Sequence, residues 1–159
     1  MIKAKEEFLK NDFIPLLEKL DADQKAQWGI MTAQQMVEHF ADAVKNASGK
    51  LLLPILNEGE KLQKSREFLM SEIPFKENID NPLIPKEGIP HRQPDLQSAI
   101  SKLKKELDHF FLVFEKNPTL KTGNAFFGQL DYNMNIQLLH KHAIHHLKQF
   151  GLKPEVVSS

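Results

Sequence analysis

Prolines divide this chain. Six of the nine fall between Pro54 and Pro94, and a proline inside a helix removes an amide donor and clashes with the preceding turn. Long helices are thereby confined to the blocks before and after this stretch. The run PFKENIDNPLIPKEGIPHRQP reads as an extended surface connection. A short helix around 59–72 is expected to interrupt it, carried by Leu62, Phe68 and Leu69. A connection this long need not join adjacent antiparallel helices; it can carry the chain back along the body, as crossovers do in some helical bundles.

The flanking blocks carry helical spacing. In the first, Phe8, Leu9, Phe13, Leu16, Leu17 and Leu20 line one side of residues 2–20, and Pro15 predicts a kink or restart near Asn11–Asp12. A second helix starts in MTAQQM. There Thr32 and Gln35 have capping-box spacing, with Met31 and Met36 placed as a hydrophobic staple. It is expected to end near Asn46–Ser48. A third helix over about 95–116 buries Leu96, Ile100, Leu103, Leu107, Phe110, Phe111 and Phe114. A fourth begins after Asp131 as N-cap and stops at Gly151, with Pro154 just beyond. The fold class this predicts is all-α: a four-helix bundle forming a single domain over 1–159, with a long proline-rich crossover between helices 2 and 3.

Composition narrows the function. Lys plus Arg and Asp plus Glu both total 21, so the formal net charge is zero. That balance argues against a nucleic-acid partner and gives no support for docking on acidic membranes. MIKAKEEFLKND has no apolar core of a signal peptide. LLLPIL, at 51–56, is too short to cross a bilayer. A cytoplasmic protein without a membrane partner is expected. With no cysteine in the chain, any metal must be held by nitrogen and oxygen ligands.

The chemistry concentrates in LHKHAIHHLKQFG, at 139–151, which holds four of the seven histidines. At about 100° per residue, Ile136, Leu139, Ala143, Leu147 and Phe150 form the core stripe. His142 and His146 share one flank, His140 lies near the other, and His145 points roughly away from the core. The i, i+4 pair His142 and His146 can address one ion, although such a pair alone is a weak signal and boundary histidines are often merely hydrogen-bonded. A third ligand must come from elsewhere. His39, His91 and His109 are the candidates. His39, central in a well-capped amphipathic helix, leads on position; His91 belongs to a connection expected to move.

WGIMTAQQMVEHF, at 28–40, and LHKHAIHHLKQFG together resemble the two signature segments of the DinB-like, or YfiT-like, superfamily of metal-binding helical bundles. The nearer resemblance is to a branch whose last helix carries H-x-x-H-H-x-x-Q-F-G. The resemblance implies a four-helix bundle with a crossover between helices 2 and 3 and a three-histidine metal site of His39, His142 and His146. The chain departs from the branch at Asn124-Ala125-Phe126-Phe127-Gly128, where the pattern reads His-Pro-x-Phe-Gly. It also lacks a tryptophan early in helix four, where Asn135 lies.

Three neutral imidazoles leave a divalent ion with an open position, the arrangement of a catalytic rather than a structural site. Such an ion lowers the pKa of bound water or polarises a carbonyl. Zinc, nickel, iron, cobalt and copper all accept these ligands. The functions implied are a metal-dependent hydrolase or a transferase of small thiols, acting on a small-molecule substrate. The alternatives are a non-catalytic metal-binding or small-molecule-binding module and an interaction protein acting as a homodimer. Of the neighbouring residues, Glu38 is expected to be a solvated surface glutamate and Trp28 to pack at the bundle end. Gln149 is placed to support a ligand or to finish the helix.

Overall fold

Thr32 starts the helix that carries the first candidate histidine. Its extended backbone (φ −74°, ψ 166°) turns its hydroxyl onto the amide of Gln35, while the Gln35 side chain accepts from the Thr32 amide at 2.9 Å. Two otherwise orphaned donors are satisfied reciprocally. In the computed structural model, which describes residues 2–77, 81–85 and 88–152, the elements run as follows. α1 (Ile2–Glu7), a π-helical stretch (Phe8–Asp12) and α2 (Phe13–Leu17) come first. α3 (Ala33–Ala47), α4 (Gly59–Met70), α5 (Leu96–Lys116), β1 (Thr122–Asn124), β2 (Gly128–Leu130) and α6 (Tyr132–Gln149) follow. The protein is predominantly helical. Among the described residues no helix is long and apolar enough to cross a membrane. Pro154, expected to follow the last helix, lies outside the described residues.

Pro15 acts as expected, by a specific route. It cannot supply the amide that the Asn11 carbonyl would receive in an α-helix. The turn widens instead, and the Phe13 amide donates to the Phe8 carbonyl five residues back. The chain therefore stays helical, with the widened turn at Phe8–Asp12.

One core holds the long helices together. Met36, Val37, Phe40 and Val44 of α3 are fully buried and face Ile100, Leu103, Leu107 and Phe110 of α5; α3 and α5 form the most extensive helix pairing. Phe13 and Phe40 meet at 4.8 Å between ring centroids. Ile136, Leu139, Ala143, Leu147 and Phe150 of α6 join the same core, as their helical spacing predicts. Truncating one of these phenylalanines costs about 3–5 kcal/mol.

The expectation of an all-α chain needs one addition. β1 and β2 form an antiparallel pair with Thr122 opposite Leu130. The Asn124 carboxamide closes the turn between them, accepting from the amides of Phe126 at 2.8 Å and Phe127 at 3.1 Å, and Gly128 takes a positive φ of 74°. Three-residue strands are too short to print an alternating pattern on the sequence. Their contacts run to Asn46, at 3.0 Å from the Gly123 carbonyl, and to α4, whose Arg66 donates to the Phe127 carbonyl at 2.6 Å. Asn46 lies seven residues beyond His39, about 10 Å along the helix axis. The Asn124–Gly128 loop thus packs at the C-terminal end of α3, about two turns from the candidate site.

The proline-rich connection is tied down on two sides. Lys141 of α6 is buried and donates to the carbonyls of Phe68, at 3.1 Å, and Ser71, at 2.9 Å, capping the C-terminal end of α4 with a cation. Residues 88–93 lie on α3. Gln35 donates to the Ile89 carbonyl at 2.9 Å, Gln34 donates to the Gln93 carbonyl at 2.8 Å, and Thr32 and His91 meet at 2.7 Å. The stretch around His91 is therefore strapped, not loose.

Candidate metal centre

His39 comes from the middle of α3, and His142 and His146 stand one turn apart on α6. The structure brings these three together: Nε2 of His142 lies 3.1 Å from Nε2 of His39 and 2.7 Å from Nε2 of His146. All three nitrogens lie within 4.8 Å of one another. A tetrahedral ion with bonds of 2.0–2.1 Å needs its nitrogen ligands about 3.3 Å apart; the 3.1 and 2.7 Å separations are close to that spacing, while His39 and His146, within 4.8 Å of each other, would draw together on binding. The other candidates stand apart. His91 pairs with Thr32, His109 is exposed, and His140 sits on the other flank with its ring edge on Phe8 at 5.3 Å.

The protonation pattern of the cluster follows from its hydrogen bonds. Gln149 donates from Nε2 to the Trp28 carbonyl at 3.1 Å, so its Oε1 is the atom facing Nδ1 of His146 at 2.7 Å. An oxygen accepts, so this contact favours the His146 tautomer with its proton on Nδ1 and a bare Nε2 lone pair. If His142 donates from Nε2 to that lone pair, it has none to offer His39. If it accepts from His39, two lone pairs face each other at 2.7 Å. Neutral imidazoles can therefore make at most one good two-centre hydrogen bond across these two contacts, whereas a cation satisfies all three nitrogens.

Electrostatics keeps the ligands neutral. Burial pushes the His39 imidazole down to about 4, with Asp42 opposing and His145 and Arg92 adding to the shift. Burial, then the neighbouring histidines, hold His142 well below the ordinary histidine range, and burial and His39 do the same to His146. Neutral imidazole is the ligating form.

Glu38 differs from expectation. It is buried, not solvated, because the strap lies over it. Its oxygens accept from Gln34 at 2.9 Å, from the Arg92 amide at 2.8 Å and guanidinium at 3.2 Å, and from the Gln93 amide at 3.1 Å. Burial alone would raise its pKa, but these donors together hold the carboxyl below its usual range. A carboxylate committed to this many donors anchors the strap and is a poor proton acceptor. His145 points away from the main core and is half-buried against two rings outside it, with Trp28 at 5.6 Å and Phe75 at 5.9 Å between ring centroids. Phe75 stands edge-on to His142 as well, at 6.2 Å. Its place over α6 depends on the whole path of the connection, which no local pattern shows.

His39 and His142 are half-buried while His146 is buried, and His39 also faces the strap. A cleft of about 20 Å³ lies there, lined by His39, Met31, Glu38, Ile84, Ile89 and Arg92. That is room for a single water. No family model, curated protein or solved structure matches the chain, so the geometry alone carries the functional reading.

Proposed function

We propose that this protein binds one divalent transition-metal ion through Nε2 of His39, His142 and His146. The observation that carries the proposal is the convergence of three imidazole nitrogens, two contacts of which measure 3.1 and 2.7 Å, in an arrangement neutral imidazoles cannot satisfy among themselves. The donor set fits zinc, nickel or iron equally. We read the helices as a four-helix bundle of DinB-like type, in which the stretch containing α4 serves as the crossover between the second and third bundle helices. The order of elements and the placement of one histidine on α3 and two on α6 support this.

When bound, the ion supplies Lewis acidity at an open coordination position. The chain's own contribution is to hold three neutral ligands, to orient His146 through Gln149, and to restrict access to a cleft of about 20 Å³. A metal-dependent hydrolase or small-thiol transferase is the catalytic form of this proposal. A non-catalytic metal-binding module is favoured by one specific observation: Glu38, the carboxylate beside the cleft, has its oxygens taken by Gln34, Arg92 and Gln93.

Calorimetric titration of zinc, cobalt and nickel into metal-free protein tests the proposal. One equivalent bound by the wild type, with binding lost in His142→Ala, supports it; the same affinity in both contradicts it. Turnover of small ester, amide or thiol substrates by loaded wild type but not by loaded His39→Ala, assayed with excess metal, would assign the catalytic form.

A further inference from the structure

The C-terminal turn of α6 is gripped by a loop that contributes no ligand. The Gln27 amide donates to the Gln149 backbone carbonyl at 2.8 Å, and the Trp28 carbonyl receives the Gln149 side-chain amide at 3.1 Å. Gly29 follows with φ +79°, and a Cβ there would stand 3.1 Å from Nε2 of Gln149. The loop thus holds Gln149 by its backbone and by its side chain, and its close approach suits a glycine on both conformation and space. Gln149 is itself buried, so its amide cannot trade the Trp28 carbonyl for water.

We propose that Gln149, held by the loop Gln27–Gly29, is a positioning residue that fixes His146 in the Nδ1–H tautomer and so presents its Nε2 lone pair to the ion. The chain of causes is directional. A backbone carbonyl can only accept, so it orients the Gln149 amide with nitrogen toward Trp28 and oxygen toward His146. That oxygen requires a proton on Nδ1. Without it, His146 gains by moving its proton to Nε2 and donating to Nε2 of His142, 2.7 Å away, which blocks the ligand position. Outer partners of this kind set ligand orientation and basicity in metal sites. The effect on metal affinity rests on the three-histidine proposal above; the tautomer does not.

Long-range proton–nitrogen NMR on metal-free protein near pH 7.5 reads the tautomer directly, in wild type, Gln149→Leu and Gln149→Glu. The wild type is expected to show His146 protonated on Nδ1. The Leu variant should shift toward Nε2–H, and the Glu variant, whose carboxylate still accepts, should keep Nδ1–H. Wild-type protein protonated on Nε2 overturns the proposal, as does a folded Leu variant with an unchanged tautomer. Should the Leu variant not fold, the Glu variant decides: Nδ1–H retained supports the proposal, and Nε2–H overturns it. Zinc affinity is expected to fall by about 10–100-fold in Gln149→Leu and to be restored in Gln149→Glu. If no variant binds zinc, the wild type included, the metal reading fails while the tautomer result stands.

Discussion

Nε2 of His39 lies 3.1 Å from Nε2 of His142, although 103 residues separate them in sequence. An ion bridging them would tie α3 to α6 across the whole connection. Because the unfolded chain offers no such site, binding adds directly to folding stability. Zinc at one hundred times its dissociation constant is expected to add about 2.7 kcal/mol. That raises the Tm of a domain this size by about 5–10 °C. His39→Ala should melt at the same temperature with and without zinc, as scanning calorimetry would show.

Acid should weaken the metal-free fold through the same residues. His39 has an ordinary value of 6.5 in the unfolded chain and about 4 in the fold. Below pH 6.5 the unfolded state therefore takes up a proton that the folded state refuses. The His39 contribution is complete above about pH 6.5, declines between there and about pH 4, and levels off below. His39 alone contributes on the order of 3 kcal/mol to the decline, and His142 and His146 act in the same direction. Urea unfolding at pH 7.5, 5.5 and 4.5 would show this, with a shallower decline in His39→Gln.

Glu38 is expected to matter for the strap and not as a proton acceptor. Glu38→Ala leaves the Arg92 and Gln93 amides without their acceptor and should destabilise the protein by about 2–3 kcal/mol. Amide exchange over 88–93 should accelerate. Glu38→Gln keeps an acceptor oxygen and is expected to lose less.

The turn at Asn124 gives a contrasting case. Asn124→Ala removes the acceptor of the Phe126 and Phe127 amides and should cost about 1–2 kcal/mol in denaturant unfolding. Metal affinity should not change, because this turn packs near Asn46 and α4 rather than at the histidines.

The sequence carried the helices and the ligand pair because both are periodic. Thr32 and Gln35 stand at capping-box spacing, Asp131 at an N-cap, and His142 and His146 one turn apart, and each signal needs only a few neighbouring residues. His39 could be ranked above His91 and His109 but not chosen by spacing, since its partner lies on another helix. Glu38 departs from the expected surface position for a related reason. On an isolated α3 it would face solvent, and only the Arg92–Gln93 strap, more than fifty residues away, buries it. The same holds for Lys141, whose burial depends on the end of α4, and for Phe75 against His142. The hairpin at Thr122–Leu130 escaped because three-residue strands show no alternation.

The central claim is that His39, His142 and His146 jointly hold one ion, and metal content by plasma mass spectrometry tests it most directly. The protein would be purified without a nickel column and compared with His39→Ala and His146→Ala. The account predicts close to one equivalent of a single divalent metal in the wild type and loss of it in both variants. Wild-type protein free of metal, and taking up none from zinc, nickel, iron or manganese, would contradict it, as would a full equivalent retained in either folded variant.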